Sequence, residues 1–464
     1  MLEGLEVTEI SLTQILQRND VFRIDAEYFG KQALNVIQTL RENQAVPLVT
    51  LAAITDGIHT SLPFVENGEV KVLSAKHPKE NYIDDSQFET ITAEFHKANP
   101  RTALRENDVL ISTVGTIGNS AVVTPDLLPA NSDRHIGIVR LGTGVSPYYL
   151  STFLLSRYGR TQSQRETTGN VQPNLFISKI GQLLVPRLSE QLELLIVESV
   201  KLAYGRRRNS AGYLKQAEQS LLVNLGLDKW EAPEPLNYVR NSSEAFSAGR
   251  LDAEFFNPGI DQLLKRLSRD GLKIRDVAPA RKERFTLNET GEFHYIEIGT
   301  LNNDGTAQAQ CLPQREAPSR ATQYVRSNDV ITSTVRPNRR LSASISEQQD
   351  GFVCSSGFVV LRPKHISGDV LLTYLRLPLI CKLMDLYTSA SMYPAISEFD
   401  LLNLPIPKFS TATEKAVEQS LQSARQAKQR AAQLLEAAKR AVELAIEQSE
   451  AQALAYLHDI TANQ

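Results

Sequence analysis

Asn107-Asp108-Val109-Leu110-Ile111-Ser112-Thr113-Val114 returns as Asn328-Asp329-Val330-Ile331-Thr332-Ser333-Thr334-Val335, an offset of 221 from residue 108 to residue 329. The same offset of 221 carries Val185-Pro186-Arg187-Leu188 onto Ile406-Pro407-Lys408-Phe409. Earlier in each half, Arg23-Ile24-Asp25-Ala26-Glu27-Tyr28-Phe29 meets Arg250-Leu251-Asp252-Ala253-Glu254-Phe255-Phe256 at an offset of 227. One unit is written twice, and two copies imply two similar tasks.

The 464 residues suffice for two to four domains, and the repeat narrows this to two globular modules. Hydrophobic residues at 42% and charged residues at 22% are ordinary for a folded chain. Cys311, Cys354 and Cys381 are an odd set without paired spacing, which supports neither a disulfide framework nor a cysteine zinc site. Met1 to Glu6 lack a basic start and apolar core, and no apolar run reaches the ~18 residues of a membrane span, so a soluble, cytoplasmic protein without a membrane partner is expected. A net charge of −3 and a pI near 6.2 exclude a non-specific nucleic-acid coat, so any such site must be a local patch.

Two tracts read as long helices. In the first, Ile196, Val200, Ala203, Arg207, Ser210, Leu214, Ala217 and Leu221 alternate four-three; in the second, Val417, Leu421, Ala424, Lys428, Ala431, Leu435, Ala438 and Val442 repeat the pattern at the same offset. Such spacing keeps one narrow stripe on one face, the requirement for a two-stranded coiled coil. The pairing seam is assigned to Ile196, Val200, Leu214, Leu221, Val417, Leu421, Leu435 and Val442. Ser189 and Ser410 or Thr411 suit the N-terminal caps, and Gly205 and Gly212 weaken the first helix by about 1 kcal/mol each. The alternative, two amphipathic helices each lying on its own module, does not account for the shared register.

Each module opens with an expected helix, Ala26 to Leu40 and Ala253 to Leu267, and continues in short runs rich in Val, Ile and Thr. Val70 to Leu73, Asp108 to Val114, Ser120 to Thr124 and Ile136 to Leu141 have counterparts in Phe293 to Ile298, Asp329 to Val335, Leu341 to Ile345 and Gly357 to Leu361. Short strands at uneven spacing predict mostly antiparallel, partly open sheets. Tyr148 to Ser156 and Val370 to Leu377 read as a further helix in each copy. The fold class is therefore α+β: a first module over 1–188, a spacer helix over 189–226, a linker and second module over 227–409, and a second spacer helix over 410–464. Trp230, the single tryptophan, is expected to pack the linker onto a neighbour.

Catalytic signatures are missing from the sequence. It contains no phosphate-binding Gly-x-x-x-x-Gly-Lys-Ser/Thr loop, no His-Glu-x-x-His, no Cys-x-x-Cys and no Gly-x-Ser-x-Gly, and its seven histidines are scattered; no catalytic residue, metal or cofactor of its own is assigned. Asp25 with Glu27, and Asp252 with Glu254, sit two apart, which points them to different sides of a helix, so Asp as a cap is the better reading. What remains is a pair of matched polar loops. Arg315 to Arg340 holds six arginines (315, 320, 326, 336, 339 and 340) against Glu316 and Asp329, a local balance of +4. Arg336, Asn338, Arg339 and Arg340 are of the types that grip guanine and adenine edges with two hydrogen bonds, and the first copy places Thr113, Thr116 and Asn119 at the corresponding turn. The second matched loop offers Asn170, Gln172 and Asn174 in the first copy and Ser391 and Tyr393 in the other. Each loop taken alone reads better as a solvated turn; the repetition in two divergent copies brings the base-contact reading level with it.

The layout resembles the specificity subunit of a type I restriction-modification system. NDVLISTVG (107–115), NDVITSTVR (328–336), TTGNVQPNLFISKIGQLLVP (167–186) and TSASMYPAISEFDLLNLPIP (388–407), each leading toward a long helix, carry the resemblance over nearly the whole chain. It implies two target recognition domains, each reading one half of a split sequence in double-stranded DNA, held apart by paired helices that set the spacing. It further implies two methyltransferase subunits docked on those helices, with S-adenosylmethionine on the partners, and restriction or translocase subunits completing the complex. The chain lacks Asn-Pro-Pro-Tyr/Phe, so on this resemblance it is non-catalytic. Two other readings stay open: a coiled-coil adaptor with protein-binding modules, consistent with the acidic pI, and a fused restriction-methylation enzyme.

Overall fold

The computed structural model describes residues 9–18, 23–169, 172–288, 290–389 and 394–462. The chain forms two compact units, Met1–Arg207 with Lys428–Gln464, and Arg208–Ala427. Both are α+β, built from small, mostly antiparallel sheets and the halves of two long helices. Among the described residues no helix is long and apolar enough to cross a membrane.

The repeated segment forms a central strand in each copy. Val109–Ser112 lies between Ser120–Val122 and Ile136–Leu141, with Ala52–Asp56 at the far edge, all antiparallel. Val330–Ser333 likewise lies between Ser342–Ser344 and Phe358–Leu361. All four residues of each central strand are buried, so neither shows the apolar-polar alternation of a half-exposed strand. The second sheet is also duplicated. Val70–Leu73 runs parallel to Ala130–Ser132 and antiparallel to Glu89–Ile91; Glu292–Ile296 runs parallel to Val353–Ser355 and antiparallel to Gln310–Pro313, with Ala321–Tyr324 added beyond.

The Asn-Asp pair that opens the repeat has a structural cause. Asn107 and Asn328 take left-handed backbone, φ 68° and 66°, which asparagine tolerates better than other side-chain-bearing residues. The following aspartate closes the turn: Asp108 accepts from the Arg105 amide at 2.9 Å and Asp329 from the Arg326 amide at 2.8 Å. Both carboxylates are buried and need a cation. Arg140 supplies it to Asp108 (Nε to Oδ1 3.1 Å) and Arg281 to Asp329 (Nε to Oδ2 2.6 Å, Nη2 to Oδ1 2.9 Å). Burial pushes the Asp108 carboxyl above its ordinary range, against the pull of the Arg140 hydrogen bonds.

The first helix of each module begins later than its sequence pattern suggests, at Lys31 rather than Ala26 and at Pro258 rather than Ala253. A turn intervenes. Asp25 accepts from the Tyr28 amide at 3.0 Å, capping residues 26–29 instead of the helix proper. Arg23 grips Asp25 through Nε and Nη2 at 2.8 and 2.9 Å, and Arg250 grips Asp252 at 2.8 and 2.7 Å. The remaining arm reaches the end of a helix absent from the sequence reading: Arg23 Nη1 donates to the carbonyls of Arg165 and Thr167, and Arg250 Nη1 to that of Leu386. Those helices, Arg157–Glu166 and Pro378–Leu386, follow directly on Pro147–Leu155 and Gly368–Arg376. Pro378 starts one of them, because a first-turn proline forgoes an amide that has no helical partner.

Glu190–Leu225 is one unbroken helix and Thr411–Glu447 another; the second tract then breaks and resumes as Glu450–Ala462. Ser189 and Ser410 cap the two starts through Leu192 N and Thr413 N. In the first unit Ile196, Val200 and Ala203 share a core with Ala431, Leu435, Ala438 and Val442, and the Ser189 amide donates to Glu450 at 2.9 Å. In the second unit Ala217 and Leu221 share a core with Val417 and Leu421, and Leu214 packs against it. There Ser210 Oγ donates to the Ala424 carbonyl at 2.8 Å and Asn224 Nδ2 to Thr413 Oγ1 at 3.0 Å, so the helical halves run antiparallel. Trp230 packs against this same core beside Arg266, just beyond the left-handed Gly226 that ends the helix.

Two outcomes follow for stability. Leu221→Ala, at a fully buried seam position, should cost about 2–5 kcal/mol. Gly212→Ala, where an added methyl meets open space, should gain about 1 kcal/mol; thermal melts read both. A third concerns pH. The guanidiniums of Arg23 and Arg250 hold the Asp25 and Asp252 carboxyls below their ordinary range. The stabilisation is present above the unfolded-state pKa and lost as pH falls through the lower folded value. The melting-temperature gap between wild type and Asp25→Asn should therefore hold steady from neutral pH to about pH 5 and close below about pH 4.

Candidate nucleic-acid interface

In each module the two matched loops lie side by side. The amide of Leu175 donates to the Thr113 carbonyl at 2.9 Å, and that of Ile396 to the Thr334 carbonyl at 2.9 Å. From the other side, Thr113 N donates to the His135 carbonyl at 3.1 Å and Thr334 N to the Gly357 carbonyl at 2.9 Å. The second copy adds a bond from Arg336 N to the Pro394 carbonyl at 2.8 Å. Two bonds of the backbone frame are thus repeated in both copies, while the side chains it presents differ.

The first module presents polar chemistry in two separate clefts. A cavity of about 360 Å³ is lined by Thr113, Gln172 and Asn174 together with Asp56, His59, Arg134, His135 and Phe176. Thr113 is buried, whereas Gln172, Arg134, His59 and Phe176 are exposed. Thr168 and Asn174 exchange backbone bonds at 3.0 and 2.8 Å. Asp56 is taken by His59 at 2.5 Å and Arg101 at 3.0 Å; burial raises its pKa, but these two bonds outweigh it and hold the carboxyl below its ordinary range. Thr116 and Asn119 line the other cleft, about 730 Å³, with Lys79, Tyr82, Arg160 and Gln164. Asn119 is buried, its Oδ1 accepting from Arg160 Nη2 at 2.7 Å. Asn170 lies outside the described residues, as do Ser391 and Tyr393 in the second module.

The second module presents its arginines unequally. Arg336 and Arg340 both take left-handed backbone, φ 49° and 59°, on either side of the short Pro337–Arg339 turn. Arg340 reaches back to Glu218 on the first long helix, and its carbonyl accepts from the buried Arg376 at 2.7 Å. Burial lowers the Arg376 pKa to about 10. Arg326 pairs with Glu283 and, at 3.6 Å, with Asp350. The +4 balance of the 315–340 window therefore overstates the surface, because Glu218, Glu283 and Asp350 enter from outside it. Arg339 and Asn338 are exposed, Asn338 donating to Asp385 at 3.3 Å.

His59, Arg134 and His135 were not reached by sequence reasoning, since nothing in the second copy repeats them. Among the described residues no three His, Cys, Asp or Glu side chains are grouped to hold a metal ion.

No protein-family model and no curated protein matches the chain. Among solved structures it is similar to a type I restriction-modification S subunit from M. genitalium, with 11% identity and a TM-score of 0.35 over 89% of this chain and 95% of that one. A chain from a structure of type I restriction-modification complex assembly and conformational transition gives 15% identity and a TM-score of 0.28, covering 89% and 96%. The HsdS subunit from Thermoanaerobacter tengcongensis gives 16% and 0.26, covering 90% and 95%.

Arg340→Ala should lower the melting temperature, removing about 0.5–1 kcal/mol with the Glu218 pair, whereas Arg339→Ala should leave it unchanged; paired thermal melts distinguish the two.

Proposed function

We propose that this chain is a non-catalytic DNA-recognition subunit of a type I restriction-modification complex. Each module reads one half of a bipartite double-stranded target, and the long helices set the spacing and dock two methyltransferase subunits. S-adenosylmethionine then belongs to those partners, and restriction or translocase subunits complete the assembly. The observation that carries the reading is the duplicated backbone frame around Thr113 and Thr334 with unlike side chains upon it. Two readers of different sequences call for a fixed scaffold and divergent polar loops, because base choice resides in side-chain donors and acceptors. The domain division follows: recognition over 1–188 and, after the linker, within 227–409, with spacers over 189–226 and 410–464.

The roles differ by residue. Arg336, Asn338, Arg339 and the second-loop residues Ser391 and Tyr393 serve the second half-site; Thr116, Asn119, Asn170, Gln172 and Asn174 serve the first. Thr113 and Arg340 act chiefly by holding their loops, given the burial of one and the Glu218 pair of the other. A coiled-coil adaptor with protein-binding modules is the second reading, favoured by the exposed Leu236, Val239, Phe246 and Leu251, the kind of apolar surface a protein partner covers.

Replacing residues 1–188 by the equivalent module of a relative, in the complex with its methyltransferase partners, should change one half of the methylated sequence and leave the other intact. Methylome sequencing reads the result. A change in both halves, or in neither, contradicts modular reading, and absence of any sequence-selective methylation or gel shift favours the adaptor.

A further inference from the structure

We infer that Arg134 is a guanine-reading side chain of the first module, held in its reading pose by Asp133 acting through His135; the inference rests on the DNA-recognition reading above. Arg134 sits on the short connection between Ala130–Ser132 and Ile136–Leu141, at the mouth of the cavity that Gln172 and Asn174 also line. The backbone there is pinned on both sides. Asp133 N donates to the Leu73 carbonyl at 2.9 Å, and the His135 carbonyl accepts from Thr113 N at 3.1 Å. Two neighbouring strands therefore fix where the arginine leaves the sheet.

Its side chain is oriented as well. Arg134 Nε donates to His135 Nε2 at 3.3 Å, and His135 Nδ1 faces Asp133 Oδ2 at 3.2 Å. Asp133 is itself fixed by its Oδ1, which accepts from the His135 amide at 2.9 Å. An Nε2 that accepts carries no proton, so the ring proton lies on Nδ1 and donates to Asp133. This neutral tautomer is the one that lets the imidazole receive a guanidinium. With Nε engaged, the two terminal amino groups of Arg134 remain, without a partner among the described residues. They form the two-donor edge that matches O6 and N7 of guanine in the major groove.

The other charged groups around the cavity are committed. Asp56 is held by His59 and Arg101, and Asp133 by His135, so among the described residues Arg134 is a lining cation without a carboxylate partner. An exposed arginine fixed by neighbours loses little conformational freedom on binding, which favours a base contact over a loose phosphate contact.

The test uses the full complex of this chain with its modification partners, methylating duplexes in which each G·C pair of the first half-site is replaced in turn. Arg134→Ala should reduce discrimination at one G·C pair by about 5- to 150-fold while the second half-site stays strict. Arg134→Lys, which keeps the charge but not the fork, should fail to restore it. Asp133→Asn, which leaves Arg134 in place, should weaken discrimination at that same pair and at no other. Unchanged selectivity in Arg134→Ala, or full restoration by Arg134→Lys, overturns the assignment while leaving the two-reader function standing. A wild-type complex without sequence-selective methylation would remove both.

Discussion

A 36-residue helix with one apolar stripe must bury that stripe along its whole length, and this constraint organises the rest of the chain. Ile196, Val200 and Leu221 are fully buried, each burial contributing about 1.5–3 kcal/mol. Gly205 and Gly212 cost about 1 kcal/mol each, so the seam outweighs them and the helix stays continuous. The stripe is buried by the second long helix together with the module that each helical half accompanies. Tyr149 and Phe153 share one core with Ile196 and Val442, and Tyr374 and Leu375 share the other with Leu221 and Val417. Helix pairing and module packing are thus one hydrophobic event in each unit.

That coupling explains what was legible. Helix spacing and the serine caps are local patterns: Ser189 and Ser410 bond the amides at the starts of the two long helices, and the repeated segment forms a strand in each copy, shorter than its pattern at Val109–Ser112 and Val330–Ser333. The helix beginning at Lys31 came later than the pattern suggested because Asp25 and Arg23 form a turn before it, and two residues in sequence do not reveal which amide a carboxylate will cap. The helix Arg157–Glu166 was hidden for a different reason: its polar sequence carries no apolar stripe, and it is tied in by Arg23, more than a hundred residues away.

The candidate interface was half visible. The two loops were found by repetition, and their adjacency is a tertiary fact delivered by Leu175 and Ile396. The arginine-rich window misled in the opposite direction. Charge summed along a chain counts neighbours in sequence, whereas the field at a surface counts neighbours in space, and Glu218, Glu283 and Asp350 lie outside that window. Arg134 had no counterpart to draw attention to it; its importance comes from a histidine one residue on and an aspartate one residue back, a motif of three that reads as a plain turn until its hydrogen bonds are seen.

The two copies also separate what the fold requires from what it tolerates. Each has a buried aspartate at the start of its central strand, and an unneutralised buried carboxylate would cost several kcal/mol. The requirement is met twice but by different residues: Arg140 follows Asp108 from a later strand, while Arg281 precedes Asp329 in the chain. The demand belongs to the site, and the donor is free to change so long as a guanidinium arrives. Loop chemistry follows the same logic with the constraint removed. The bonds shared by the two loops are backbone bonds at Thr113 and Thr334, while the side-chain ties differ, Asn119 to Arg160 in one copy and Arg340 to Glu218 in the other, so the loop side chains diverge on a common frame. A fold that separates its obligations from its display in this way can carry two unlike sets of loop side chains on one repeated frame.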